Sequence, residues 1–370
     1  MITVPPRAPG RQDPRDESAA ARAGGAEILR FPCARRAVRF RTGRSAGSTD
    51  NSRVLSILLI TLPFFALVLC GYLAARRAVL PQAAIPGLNA FVLYFALPCM
   101  LYRFGASTPI GQLLDPAVAG VYTLCALVMV GGTVALTRNA RIGWNDAAFG
   151  ALVAAFPNTG FMGVPLLVAL LGAASAGPAI VTIVVDMVIT SSLCIALSRL
   201  DGAGTHGVAV ALRSAFKGMA TNPMPWSIAL GAVASALQFT LPGPVDQTVA
   251  MLADSASPVA LFTIGAVLAR SQMNQHERVQ PRDYVPVALA KLLVHPLLVW
   301  CVGTAAIALG VPLTPFALVV LVLLAALPSA SNVSLLAERF GAHNGRIAHI
   351  ILVSTALAFL SFSAAVALLT

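Results

Sequence analysis

The chain has 370 residues, of which 58% are hydrophobic and only 11% charged, with a mean hydropathy of +0.82. A soluble domain clothes its surface with about 25% charged residues, so lipid is the expected solvent for most of this one. The net charge of +11 does not point to nucleic acid, because eleven of the 25 basic residues lie in the first 53 positions and the rest fall between apolar runs.

Residues 1–53 are rich in Arg, Ala, Gly and Pro, show no helical periodicity and read as a disordered tail. A helix needs about 20 apolar residues to cross the hydrocarbon core. Such stretches then recur near 54–74, 84–104, 117–137, 146–172 and 178–198, and again near 222–241, 245–269, 284–309, 314–338 and 346–369. The expected organisation is a tail (1–53), a first five-helix set (54–198), a polar loop (199–221) and a second five-helix set (222–370). The basic residues set the orientation. With the first helix entering from outside, Arg76, Arg77, Arg138, Arg141, Arg199, Arg213, Lys217, Arg270, Arg278, Arg282, Arg339 and Arg346 face the cytoplasm, and Arg103 alone lies outside. The body is therefore expected in the inner membrane, N-out and C-out, with the 199–221 loop cytoplasmic. An odd number of helices per set inverts the second set relative to the first. The tail conflicts with this, since eleven Arg would have to be exported. It is expected to be an over-extended start, although no Met falls between Met1 and Met100. A signal peptide is disfavoured, because the first apolar run is too long and is followed by Arg76 and Arg77.

The two sets share local patterns. Pro98, Leu101, Tyr102 and Gly105 in the second stretch match Pro258, Leu261, Phe262 and Gly265 in the seventh, 160 residues on. Ala155-Phe156-Pro157-Asn158 in the fourth matches Ala326-Leu327-Pro328-Ser329 in the ninth, 171 residues on. Both pairings join equivalent stretches, so an inverted repeat is expected. Proline removes a backbone donor and presses on the carbonyl one turn back, and in lipid the freed groups must be buried in protein or line a wet cavity. Pro98, Pro157, Pro165, Pro258 and Pro328 are therefore expected at helix breaks. The fourth stretch, with Pro157, Asn158, Thr159, Gly160, Gly163 and Pro165, is the clearest. Interrupted helices in corresponding halves point to a transporter's midplane site; the alternative is a pair of kinks where small residues let helices pack closely.

The string Asn158-Thr159-Gly160-Phe161-Met162-Gly163-Val164-Pro165-Leu166 resembles the fourth-helix signature of the auxin efflux carrier family, which includes bacterial malonate-transporter-like proteins. Leu97-Pro98, Ala256 through Phe262, Lys291 before Pro296, Leu327-Pro328 through Gly341, and Val353-Ser354-Thr355 are similar to further patterns of that family, in the same order. The resemblance covers about 54–370. It implies an all-α membrane carrier of ten transmembrane helices in a 5+5 inverted repeat, with helices 4 and 9 crossing and an elevator-like motion that carries organic anions. The short central loop favours a bacterial-type member, and the Arg-rich tail has no counterpart in the family. Substrate contacts would fall to Asn158, Thr159, Ser329 and Asn332 at the crossing, with Lys291 balancing the anion.

Charges inside spans are functional candidates. Lys291 lies about seven residues into the eighth stretch, where its stem could also snorkel to the headgroups. Asp186 is near the middle of the fifth, with Thr182 and Thr190 one turn to either side, and is read either as an ion or proton ligand or as a packing residue. Asp254, one turn before Pro258, either faces the same cavity or caps an outer vestibule. Arg103 reads as an interfacial anchor, and His295 and His349 as packing residues. No phosphate-binding loop, clustered catalytic residues or His/Cys metal spacing is present, and the six cysteines are unpaired in pattern, so neither an enzyme nor a cofactor is expected. The expected partners are a small organic anion, the bilayer and, as one assembly, a second copy in a homodimer. Two other readings stay open: a sodium- or proton-coupled symporter of the bile-acid or antiporter type using Asp186 or Asp254, and a non-transporting membrane sensor.

Overall fold

A computed structural model describes residues 50–108, 115–200, 223–273 and 279–370; the tail before residue 50 and most of the central loop lie outside the described residues. Among these residues the fold is helical, with no strand beyond one isolated bridge. The helices are α1 (Asp50–Arg76), α2 (Gln82–Ser107), α3 (Pro116–Thr137), α4 (Trp144–Ala155), α5 (Thr159–Leu171) and α6 (Ala173–Ser198). After the central loop come α7 (Pro223–Ala236), α8 (Gly243–Met273), α9 (Pro281–Ala308), α10 (Pro315–Ala325), α11 (Val333–Arg339) and α12 (Asn344–Leu369).

Seven of these, α1, α2, α3, α6, α8, α9 and α12, are long and apolar enough to cross a membrane. Shorter apolar helices fill the fourth, sixth and ninth stretches. The fourth and ninth fall short because each is split in two: α4 stops at Ala155 and α5 resumes at Thr159, while α10 stops at Ala325 and α11 resumes at Val333. Helix ends follow local chemistry. Asp115 caps α3 by accepting from the Ala117 and Val118 amides, with Pro116 at the first helical position, and Thr314 with Pro315 repeats the device at α10. Gly172 ends α5 at φ +89°, a conformation that few residues other than glycine adopt.

Three of the five prolines expected at breaks lie instead inside continuous helices. Pro98 and Pro165 each follow a π-helical turn, Val92–Ala96 and Thr159–Gly163. The wider turn gives the ring room and absorbs the missing donor. Pro296 follows a third such turn, Ala290–Val294. Pro258 sits within the unbroken α8, and the carbonyl it frees belongs to the exposed Asp254. Pro157 and Pro328 remain at true interruptions.

The helices pack as two groups. In the first, α1 crosses α8 and α2 crosses α7, each at paired glycines. A Cβ on Gly71 would lie 1.8 Å from the Phe262 carbonyl oxygen, and one on Gly265 would lie 1.8 Å from that of Val68. At the other crossing, Gly105 meets the Ile228 carbonyl and Gly231 that of Tyr102, at 2.9 and 2.4 Å from the added carbon. Only a missing side chain permits backbones this close. The second group comprises α3–α6 and α9–α12, and one core that includes Phe149, Leu152, Leu324 and Ile350 continues into the first group through Val68, Leu101 and Leu261. Trp226, Leu230 and Val233 on α7, Leu297 and Trp300 on α9, and Leu360 on α12 are exposed, as lipid-facing side chains would be.

Candidate functional site

At the two interruptions the chain becomes extended, and the two segments cross antiparallel. The Asn158 amide donates to the Pro328 carbonyl at 2.8 Å, and the Ala330 amide donates to the Phe156 carbonyl at 3.0 Å. This bridge pairs Pro157 with Ser329. It satisfies backbone groups that breaking a helix inside an apolar bundle would otherwise strand. The sequence match makes Pro157 and Pro328 equivalent positions of the two sets, and the antiparallel bridge pairs Pro157 with the residue after its equivalent. Around it, the Asn158 carbonyl accepts from the Met162 and Gly163 amides, and the Ser329 amide donates to the Ser354 hydroxyl of α12 at 3.2 Å.

The expected contact residues meet here. Asn158, Thr159 and Ser329 are buried, and Asn332 is half-buried. The Thr159 and Ser329 hydroxyls and the Asn332 side-chain carbonyl are buried atoms without a hydrogen-bond partner. Unpaired polar atoms are costly in an apolar interior, and three beside one backbone crossing form a polar seat. The first turn of α5 adds the partial positive charge of a helix start. A narrow cleft runs between the two helix groups beside this seat. Asn89 and Val92 of α2, Thr263 and Ile264 of α8, Phe161 of α5, and Ser331 and Ser334 at the start of α11 line it.

Lys291 does not snorkel. It is fully buried, donates to the Ala325 carbonyl at 2.7 Å and lies 2.9 Å from His295 Nδ1. The π turn that begins at Ala290 places it there, against the carbonyl end of α10, four residues before Ser329. A cation is favoured at such an end. Asp186 is also fully buried and accepts from the Tyr122 hydroxyl at 2.8 Å and the Thr190 hydroxyl at 3.1 Å. Thr182, expected beside it, bonds the Ala179 carbonyl instead.

Asp254 is not part of the seat. Its side chain is 79% exposed and meets Arg103 at 3.5 Å. Arg103 is correspondingly an ion-pair partner. His349 stacks on Tyr284 with ring centroids 4.7 Å apart. Tyr122, His295 and Ser354 escaped the sequence reading as site residues. A tyrosine in the middle of an apolar stretch was the available signal, since a buried phenol seeks a partner. Among the described residues no group of His, Cys, Asp and Glu is placed to hold a metal.

Comparison with known proteins places the chain among membrane transport proteins. A family model described as "Membrane transport protein" matches residues 57–366. The chain is 30% identical over 303 residues to a Rhizobium meliloti (strain 1021) protein named "Putative malonate transporter", covering 80% of this chain and 91% of that protein. It is 26% identical over 290 residues to the Escherichia coli (strain K12) "Uncharacterized transporter YfdV", covering 76% of this chain and 88% of that protein.

Proposed function

Because the chain belongs to the auxin efflux carrier family of membrane transport proteins, we propose that it is a secondary carrier for a small organic anion, a mono- or dicarboxylate, in the inner membrane. The observation that carries this reading is the seat at the crossing, where Thr159, Ser329 and Asn332 hold unpaired polar atoms beside the α5 start. Such a seat suits a carboxylate: the Thr159 and Ser329 hydroxyls donate to its oxygens and the helix start favours negative charge, while the Asn332 carbonyl oxygen accepts from a donor such as a protonated second carboxyl group. Lys291 supplies a buried cation at the back of the same crossing. The name of the Rhizobium relative makes malonate the first substrate to try.

The proposed architecture is ten spans in a 5+5 inverted repeat, with the fourth and ninth spans broken. The glycine crossings support it: Gly71 and Gly231 are 160 residues apart, as are Gly105 and Gly265, the same offset that aligns Pro98 with Pro258. Each glycine of the first set thus meets, across the group, the counterpart of the other. In the elevator reading α1, α2, α7 and α8 form the fixed frame. The second group, carrying the crossing, slides past it with the anion held in the cleft between them.

Purified protein in proteoliposomes tests the site. Wild type is expected to exchange radiolabelled malonate, and Asn158→Ala to reduce exchange by at least an order of magnitude while still inserting as a monodisperse protein. Wild-type rates in that variant would remove Asn158 from the site.

A further inference from the structure

Four polar side chains from three helices meet behind the crossing with no exposure at all: Tyr122 of α3, Asp186 of α6, and Lys291 and His295 of α9. Ionisable groups inside a membrane protein are expensive, and by default they mark a path for an ion or a proton. This cluster is set in an apolar core that includes Val181, Val299 and Leu321, and it is incompletely bonded. Asp186 accepts from Tyr122 and Thr190, and Lys291 is within its electrostatic reach. His295 gives Nδ1 to Lys291, while its Nε2 is buried with no partner. The Tyr122 ring centroid lies 6.2 Å from that of His295. The other titratable groups near the cluster are the thiols of Cys125 on α3 and Cys194 on α6. From α10 comes the Ala325 carbonyl and no titratable side chain, α5 has none, and Asp146 of α4 is engaged by the His343 amide.

With Asp186 ionised and Lys291 charged the cluster is neutral, so an anion arriving in the cleft brings a net negative charge into the bundle. Lys291 links the cluster to the crossing through the backbone, because its ammonium bonds the Ala325 carbonyl at the end of α10, four residues before Ser329. Resting on the carrier reading above, we propose that the Tyr122–Asp186–Lys291–His295 cluster is a proton-binding site. Asp186 takes up one proton as the anion is seated. The Lys291 charge, no longer opposed by Asp186, then balances the carboxylate, and proton and anion cross together in the same helix group.

The test uses the full chain in proteoliposomes with malonate as the probe and the membrane potential clamped by potassium and valinomycin. An inward proton gradient is expected to drive malonate accumulation, approaching about tenfold per pH unit at one proton per anion. Asp186→Asn should lose the gradient-driven accumulation of malonate, and Asp186→Glu should restore it. Wild-type exchange that ignores the gradient overturns the proton site and leaves the carrier reading standing. If wild type exchanges no malonate, the carrier reading fails for that probe, and the proton site is decided without a substrate. Infrared difference spectra of the purified protein between alkaline and acidic buffer should contain a carboxylic C=O stretch that Asp186→Asn lacks. Absence of that band from wild type overturns the proposal. Should Asp186→Asn be aggregated on gel filtration, His295→Gln takes its place, with a displaced pH profile of accumulation expected and an unchanged profile counting against the cluster.

Discussion

Thr159 and Ser329 each bury a hydroxyl that bonds nothing. Leaving such a group unpaired costs about 1–3 kcal/mol, and a residue serving only to pack would be replaced without loss by an apolar one of equal size. Thr159→Val makes that replacement with almost no change of volume. The expected outcome is opposite signs on two measurements: the thermal midpoint in detergent stays level or rises, and malonate exchange falls. A variant that loses stability would mean that the hydroxyl has a structural partner. Asp186 sits on the other side of this distinction, because its carboxylate is bonded. Tyr122→Phe removes its 2.8 Å donor, and a hydrogen bond to a charged group contributes about 1.5–3 kcal/mol. A lowered midpoint is expected there, measurable by the same thermal scan. Residue chemistry alone named Asn158, Thr159, Asn332, Lys291 and Asp186 from the sequence, because polar groups stand out in apolar runs. The meeting of Asn158, Thr159 and Asn332 is expected from the crossing, but the partners of Lys291 and Asp186 are not legible. Lys291 is 34 residues from the Ala325 carbonyl it bonds, and Tyr122 is 64 residues from Asp186. One span holds Asp186 at its middle and another opens on the exposed ion pair of Asp254, and nothing local to either carboxylate tells them apart.

At the scale of the helix, proline and glycine read differently in sequence and in three dimensions. All five prolines match a breaking pattern, yet only Pro157 and Pro328 coincide with an interruption. The difference lies in what surrounds them: π turns precede Pro98 and Pro165, and the carbonyl one turn before Pro258 belongs to the exposed Asp254. A π turn has no composition of its own, so the sequence offers no sign of it. The one-residue offset of the bridge, Pro157 with Ser329, is hidden for the same reason, since register is set by pairing across the bundle. Pro258→Ala is therefore expected to leave transport intact and to keep or raise the thermal midpoint, because alanine restores a donor to a helix that already runs straight through. The glycines are stricter. At Gly265 an added methyl would sit 1.8 Å from the Val68 carbonyl oxygen, a backbone atom that cannot rotate away. Gly265→Ala must part α1 from α8, and a loss of about 1–3 kcal/mol follows from such overpacking. A midpoint equal to wild type would show that this crossing yields more easily than its geometry implies.

Across the whole molecule, the basic residues and the tertiary contacts speak to one orientation. The residues expected in the cytoplasm are spread over several loops, yet several of them meet. Arg141, after α3, lies 3.6 Å from Asp283 at the start of α9. Arg346, at the start of α12, donates to the Asp283 and Asp146 carbonyls, and the Arg199 guanidinium lies 5.0 Å from the centre of the Phe340 ring. Loop ends that touch one another share a side of the bilayer, so these contacts join the ends of α3, α4, α6, α9, α11 and α12 on one face. The α2 end carrying Arg103 is paired with Asp254, in the half of α8 that precedes Pro258. Basic loops stay on the cytoplasmic side during insertion, so the expected topology puts the shared face in the cytoplasm and the α7–α8 connection outside. Two single cysteines read this directly once all six native cysteines are replaced. Asn139→Cys lies in the exposed turn after α3, and Gly243→Cys begins α8, where nothing lies within 4 Å of an added side chain. In intact cells a membrane-impermeant maleimide is expected to label Gly243→Cys, and to reach Asn139→Cys only after the membrane is opened. The reverse pattern would turn the molecule over and place the Lys291 side of the crossing toward the other compartment.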